Sequence, residues 1–402
     1  MKSGKVIAGQ FNQAVVFAEV LDKEAARQIE ELCNQPFSSG SRIRIMPDAH
    51  AGAGCTIGTT MTVRDKIVPN LVGVDIGCGM HVTRLKRVRV DRDVLAKLDK
   101  VIRTFVPSGF GIRKTPHKYN AYIDLEALCC RNHLDLARAR LSIGTLGGGN
   151  HFIEMNVDEA GELYLVIHSG SRHLGKQIAE YYQERAGREL ARQFGEDIIK
   201  RLKAEGREKE IQVELKAAKA RFNKALAYLE GAAFEEYIHD MRIAQQYAEY
   251  NRQAIAEVII REMGFPIEDS FTTIHNYIDL DAMILRKGAI SAKAGEIVII
   301  PVNMRDGSII AVGKGNAEWN YSAPHGAGRL MSRGQARRTL SLEEFKRSMA
   351  EAGIYTTTVS RDTLDEAPAA YKPMDEIIAS MAPTVEIKKI IRPVYNFKAA
   401  GD

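Results

Sequence analysis

The chain is poor in cysteine, with five in 402 residues and no CxxC pair among them. Cys33, Cys55, Cys78, Cys129 and Cys130 form an odd set at irregular spacing. That excludes a disulfide framework or zinc ribbon and leaves reduced thiols as the expectation. No stretch reaches the ~18 consecutive apolar residues of a membrane-spanning helix. Nothing apolar follows the opening Met1-Lys2-Ser3-Gly4-Lys5, so no signal peptide is expected and the cytoplasm is the expected compartment. Charge of one sign is scarce too: 56 Lys and Arg face 51 Asp and Glu, a net +5. Such a surplus permits polyanion binding without requiring it. Repeats and low-complexity tracts are missing, and there is one tryptophan, Trp319. The remaining balance, 45% hydrophobic and 27% charged, is that of a globular protein.

Three zones are present. Residues 1–170 are rich in glycine and in short β-branched runs such as Lys66-Ile67-Val68 and Tyr164-Leu165-Val166-Ile167. Residues 175–262 are dense in Ala, Glu, Lys, Arg and Leu, and Lys176–Glu205, Glu208–Glu230 and Phe234–Met263 read as long amphipathic helices. Residues 265–402 return to strands, Glu296–Pro301 and Ser308–Val312, followed by helical pieces at Leu342–Ala352 and Met374–Ser380. Chemically suggestive residues lie on both sides of the helical zone. The expected fold is therefore α+β: one domain over 1–402 with a discontinuous mixed-sheet core, and 175–262 as a helical insertion or lid within it.

Histidine placement carries the chemistry. Five of the ten histidines, His50, His151, His168, His275 and His325, each end or follow a strand-like run in a polar or glycine-flanked setting. Scaffolds present catalytic groups at such strand ends. A lone histidine there is ordinarily a satisfied structural one; five together point to a metal or phosphoryl site. In Gly73-Val74-Asp75-Ile76-Gly77-Cys78-Gly79 an Asp and a Cys three apart can turn to one point. Joined by histidines, they would suit manganese, zinc or iron. The bland alternative is a buried Cys beside a turn Asp. Gly144-Thr145-Leu146-Gly147-Gly148-Gly149-Asn150-His151 exposes backbone N–H groups able to hold an anion, although it is neither a Walker loop nor a dinucleotide fingerprint. His168-Ser169-Gly170-Ser171-Arg172 adds a guanidinium fork suited to phosphate. Small residues flank His325 in Ala323-Pro324-His325-Gly326-Ala327-Gly328-Arg329 and leave it accessible, as a nucleophile must be. These residues by themselves support metal-assisted phosphoryl transfer with roles only partly assigned.

Met46-Pro47-Asp48-Ala49-His50, the Asp75–Cys78 and Gly144–Phe152 segments, His168–Arg172, His275-Asn276-Tyr277 and His325–Arg329 together resemble the RtcB RNA ligases, in order, from about residue 40 onward. The resemblance implies an RtcB-like fold, two Mn2+ ions and GTP. One ion would be held by Asp75, Cys78 and His151, the other by Cys78, His168 and His275. His325 would be guanylylated. Asn150 and Asn276 would contact phosphates; Glu154, Ser308 and Lys398 would read guanine, Tyr371 would stack on it, and Arg172 would bind a substrate phosphate. The implied reaction joins RNA 3′-phosphate or 2′,3′-cyclic phosphate ends to 5′-hydroxyl ends in tRNA splicing or RNA repair. A monomer is expected, with no membrane and with room for an activating protein as a further partner.

This sequence departs from the family pattern at Pro301-Val302-Asn303-Met304-Arg305, where relatives carry a glycine- and serine-containing loop, and at Ala53, where some carry lysine. The altered loop favours one competing reading, a dinuclear-metal phosphoesterase or cyclic phosphodiesterase that does not ligate; His325 argues against it. A non-catalytic RNA-binding module is the other, resting on the basic helices, whose interleaved Glu residues read instead as a solvated face. Cys129-Cys130 is expected in a helical core, Cys55 in packing near the site, and Trp319 either in packing or at the pocket. His50 and His173 are candidates to support ligands; His81, His117, His133 and His239 are expected to be structural.

Overall fold

The computed structural model describes residues 4–86 and 88–399. The expected α+β architecture is present as two large sheets with long helices against them. The larger sheet is antiparallel throughout and runs Ile267–Ile274, Gly79–Leu85, Leu163–Ser169, Phe152–Val157, Val385–Lys398, Gly307–Gly313, Ile297–Asn303. The other runs Lys5–Ala8, Gln13–Val16, Ile43–His50, Ile57–Thr62, Ile284–Lys287, Asn276–Asp279, with one parallel pairing, between its second and third strands.

Strand periodicity places the chemistry. Leu163–Ser169 is buried along its whole length because both faces of the sheet are covered. Leu163, Leu165 and Ile167 join one apolar cluster with Ile153, Met155, Tyr395 and Phe397, while Tyr164 and Val166 join another with Phe152. Successive side chains alternate faces. Glu154, His168, Asn396 and Lys398 therefore share the face of Phe152, in a register that sets Glu154 against Asn396 and Phe152 against both His168 and Lys398. Antiparallel order also brings the start of Gly79–Leu85, the end of Leu163–Ser169, the start of Phe152–Val157 and the end of Ile267–Ile274 to one edge. Cys78, His168, His151 and His275 sit at those four points.

The helical zone contains Arg172–Ala204 and Gly231–Met263, both 33 residues long. The second stops at Gly264, in left-handed conformation (φ 69°), with the Phe265 N–H returning to the Ile260 carbonyl. Its Tyr237, Met241, Ala244 and Tyr247 lie in the same core as Ile43 and Ile45 of the smaller sheet. The middle helix is shorter than expected. It covers Ile211–Arg221 and then gives way to a 3-10 turn, Lys224–Leu226, and the strand Leu229–Glu230. The Asn223 side chain accepts from the Ala225 N–H to start that turn, and Leu229 pairs with Ile67. Cys129-Cys130 likewise belongs to a run of 3-10 turns, with Cys130 buried and Cys129 exposed, so only one of the two is core. Among the described residues no helix is long and apolar enough to cross a membrane.

Candidate active site

At the shared strand edge, Cys78 Sγ lies 3.4 Å from His151 Nε2 and 3.3 Å from His168 Nε2. Asp75 Oδ2 is 3.1 Å from the same His151 nitrogen. The His168 ring stands 5.2 Å from that of His275, which in turn stands 5.0 Å from that of His325. Each of the first two imidazoles is oriented from behind: His151 Nδ1 is 2.9 Å from the Leu146 carbonyl and His168 Nδ1 is 3.1 Å from the Asn150 carbonyl. The second contact assigns the His168 N–H to Nδ1 and leaves its Nε2 lone pair facing the thiol, while His151 is held between the Leu146 carbonyl at Nδ1 and the Asp75 carboxylate at Nε2.

Burial explains the electrostatics. It drives His168 and His275 well below the ordinary imidazole range, so both are neutral donors at physiological pH. Burial, reinforced by Asp75, raises the Cys78 thiol. For Asp75 burial acts upward, but the His151 contact, the charge of Arg172 and the Ser171 N–H outweigh it and hold the carboxyl at about 2. Two glycines permit the crowding. A Cβ on Gly170 would lie 2.2 Å from Asp75 Oδ1, and one on Gly147 would lie 1.9 Å from the Arg172 guanidinium. Arg172 itself opens its helix at φ 57°, an unusual conformation for a residue with a side chain. Its Nη1 reaches to 3.2 Å from His151 Nδ1.

His325 lines a cavity of about 220 Å³ together with His50, Asn150, Phe152, Glu154, His168, His275, Arg329, Arg333, Glu366, Tyr371 and Lys398. Its Nδ1 is 2.7 Å from Oδ2 of Asp48, a fully buried residue, and that same oxygen accepts the His325 and Gly326 N–H groups at 3.1 and 3.3 Å. The ring is thereby held with Nε2 as its free lone pair. His50 Nδ1 sits 3.0 Å from the Asp48 carbonyl.

Across the cavity, Glu154 accepts from Asn396 at 2.6 Å and from Asn156 at 3.3 Å. Its burial outweighs these bonds and lifts the carboxyl to about 7. The buried Lys398 ammonium is 2.6 Å from Glu366 Oε2, and the Tyr371 hydroxyl donates to the same oxygen at 2.6 Å. Ser308 is fully buried, and its Oγ has no partner among the described residues.

The residues singled out in the sequence thus divide into groups. Asp75, Cys78, His151, His168 and His275 converge at the sheet edge; His325, Asn150, Glu154, Tyr371 and Lys398 line the cavity. Three others are not among the lining residues. Arg172 lies behind His151, Ser308 is enclosed in its strand, and Asn276 spends its amide on the Asp75 carbonyl (3.3 Å) and the Gly288 N–H (3.0 Å). His173 is exposed. Trp319 is core: it stacks on Phe17 at 3.6 Å and packs with Met46 and Ala289. Cys55 is buried, 3.1 Å from the Asn70 carbonyl and 2.8 Å from Lys287 Nζ. Pro301–Met304 of the altered loop border the cavity. Two N–H groups of the glycine run, those of Gly144 and Thr145, go to Asn251 Oδ1 rather than to open space.

Sequence reasoning assigned no role to Asp48, Glu366, Asn251 or Arg252. Asp48 lies in Met46-Pro47-Asp48-Ala49-His50, two residues from His50, which was the available signal. Asn251 and Arg252 are buried on the long helix; Arg252 donates to the Gly77 carbonyl at 2.7 Å and the Ser169 carbonyl at 3.0 Å. They tie the loop before Cys78, the end of the His168 strand and the glycine run to one helix.

A thiol, imidazoles and a carboxylate gathered beside a histidine braced on a buried carboxylate are the equipment of a group-transfer enzyme. The family description "tRNA-splicing ligase RtcB" matches over residues 28–133 and 121–399. The RNA-splicing ligase RtcB of Escherichia coli K12 is 31% identical over 421 aligned residues, covering 94% of this chain and 95% of the relative. RNA-splicing ligase RtcB1 of Escherichia coli ATCC 25922 gives the same identity and coverage. The tRNA-splicing ligase RtcB of Aeropyrum pernix is 28% identical, covering 87% and 86%. The chain belongs to the RtcB family and is an enzyme of the ligase class.

Proposed function

We propose that the chain is a GTP-using, Mn2+-dependent RNA ligase that seals RNA 3′-phosphate or 2′,3′-cyclic phosphate ends to 5′-hydroxyl ends, with His325 as the nucleophile. The observation that carries this reading is the Asp48–His325 pair. A histidine whose Nδ1 is engaged by a buried carboxylate, and which lines a cavity, has a free Nε2 with which to attack phosphorus. Simple hydrolysis by a metal-activated water needs no such group.

The donor set fits divalent transition ions. Cys78, His151 and His168 offer atoms all within 4.8 Å of one another, and the neutral His168 imidazole need lose no proton. Asp75, Cys78 and His151 would hold one ion, and Cys78, His168 and His275 the other. Bound there, the ions would neutralise charge on phosphoryl oxygens. Glu154 and Lys398 line the cavity that a guanine ring would enter, with Asn156 and Asn396 donating to Glu154; Ser308 is the further guanine contact that the resemblance implies. Tyr371 offers a ring face, and Arg329, Arg333 and Asn150 stand where phosphates would enter.

In the first step His325 Nε2 attacks the α-phosphorus of GTP; a P–N bond forms, the α–β P–O bond breaks and pyrophosphate leaves. The imidazole becomes positively charged in that step, and Asp48 faces the charge from Nδ1. An oxygen of the RNA 3′-phosphate then displaces histidine from the GMP phosphorus, leaving the 3′ end joined to GMP through a pyrophosphate. The 5′-hydroxyl of the second strand attacks the RNA-side phosphorus, GMP departs, and a 3′–5′ phosphodiester remains. A 2′,3′-cyclic end is first opened by water to the 3′-phosphate.

The test is incubation of the purified protein with Mn2+ and α-labelled GTP, followed by denaturation. Acid-labile label on the wild type and none on His325→Ala is expected. Absence of label with every divalent metal and nucleoside triphosphate would leave the phosphoesterase reading in its place.

A further inference from the structure

A second group of metal-ligand side chains lies away from the cavity, where a run of 3-10 turns meets the long helices. Cys129 Sγ is 3.8 Å from His239 Nδ1, and that nitrogen is 3.0 Å from Asp240 Oδ1. The three donor atoms all lie within 4.8 Å of one another. From this geometry we propose a separate surface site for a zinc-class cation, held by Cys129, His239 and Asp240 with solvent at the fourth position.

Two of the three donor spacings match edges of a coordination tetrahedron. Metal–sulfur and metal–nitrogen or –oxygen bonds of ~2.3 and ~2.0 Å at tetrahedral angles separate S from N by ~3.5 Å and N from O by ~3.3 Å. The spacings of 3.8 and 3.0 Å lie within a few tenths of those values. Asp240 is already immobilised. It is fully buried, with one oxygen accepting the Cys129 N–H at 2.8 Å and the other the Cys130 N–H at 3.0 Å and the Tyr182 hydroxyl at 2.8 Å. Oδ1 keeps one lone pair, now directed at His239 Nδ1. When the ring proton moves to Nε2, both that lone pair and Nδ1 become available to a cation, and the thiol proton passes to solvent.

The surroundings favour positive charge. Burial, then Asp240 and then Glu236, raise the Cys129 thiol above its ordinary value, and the two carboxylates attract a cation. Access is open as well: Cys129 is the one exposed cysteine of the five, and the His239 side chain is 48% exposed. At equal concentration a three-donor N/O/S site of this kind binds Zn2+ more tightly than Mn2+. Occupancy would pin the turns around Cys129 to Arg172–Ala204, through Tyr182, and to Gly231–Met263. It draws on no residue of the Cys78 cluster.

The full-length protein is treated with iodoacetamide, with or without Zn2+, and alkylation of Cys129 is followed by peptide mass. Zn2+ should slow labelling about tenfold or more in the wild type, while Mn2+ at the same concentration should not. His239→Ala should abolish the protection. Elemental analysis after desalting should show one fewer zinc per chain in Cys129→Ser than in wild type, with RNA joining unchanged. Both variants replace accessible side chains and should keep the wild-type Tm. Equal labelling with and without Zn2+, protection that survives His239→Ala, or equal protection by Mn2+ would each overturn the assignment.

Discussion

Replacing Asp48 by Asn removes the negative charge behind His325 while leaving the ring where it is. Three donors converge on Asp48 Oδ2: the ring Nδ1–H at 2.7 Å and the His325 and Gly326 N–H groups at 3.1 and 3.3 Å. The other carboxylate oxygen has no partner among the described residues. An Asn amide will therefore turn its oxygen toward the three donors, and its NH2 will occupy the unpartnered position. The tautomer of His325 is kept. What is lost is attraction between a carboxylate and the imidazolium that, in the proposed reaction, forms as Nε2 bonds to phosphorus. For unit charges ~4 Å apart at an effective dielectric of ~20 this is ~4 kcal/mol. Allowing for the hydrogen bond that Asn retains, ~2–4 kcal/mol remains, or roughly 30- to 1000-fold in rate. Asp48→Ala loses the ring's brace as well and leaves two backbone donors without acceptors, so it should be slower by about another tenfold. The assay is single-turnover labelling with α-labelled GTP at saturating nucleotide, with GTP affinity measured separately. Affinity should change little, because Asp48 faces the ring's far nitrogen. An Asn variant within threefold of the wild-type rate would refute the role assigned to this carboxylate.

Other consequences are equally direct. Glu154 has a folded-state value near 7 against an ordinary 4.5, so its protonated form is favoured on folding. That contribution is complete below about pH 4.5 and is lost as pH rises to about 7; the loss is about 3 kcal/mol, and Glu154→Gln should flatten the Tm–pH curve across that window. Cys78→Ala removes the donor common to both proposed ligand sets. It should abolish labelling by GTP and lower bound Mn2+ after desalting, whereas chelation of the wild type should be reversed by added Mn2+. Arg252→Ala strands two buried carbonyls and opens a cavity, so unfolding in denaturant should show a loss of roughly 3–5 kcal/mol. Trp319→Ala should lower stability by about 3–5 kcal/mol with unchanged guanylylation rate in the folded fraction, since the ring packs on Phe17 and does not line the cavity. A slowed reaction in that variant would return Trp319 to the pocket.

Much of the candidate site was legible because donor chemistry belongs to residue types and short spacings. Asp75 and Cys78 can meet because glycines bracket them, and His151 and His168 can each be assigned to a strand end by the apolar runs beside them. The α+β class followed from zones of period-two and helical patterning that the structure reproduces. Local pattern failed where a long-range partner won. Glu208–Glu230 carries helical composition throughout, yet Leu229 leaves the helix to pair with Ile67, more than 150 positions earlier in the chain. Trp319 beside a glycine turn gave no means of choosing between pocket and core until Phe17 was brought against it.

What the sequence by itself determined is the inventory: which thiol, imidazoles and carboxylates exist, and the strand periodicity that puts Glu154 and His168 on one face. Tertiary structure alone decided how each is held. Asp48 reaches His325 across 277 positions, Asn396 reaches Glu154 across 242, and Arg252 reaches Gly77 across 175. The physical reason is that a ring's tautomer, a carboxyl's burial and a loop's anchoring depend on groups that only the folded chain makes neighbours.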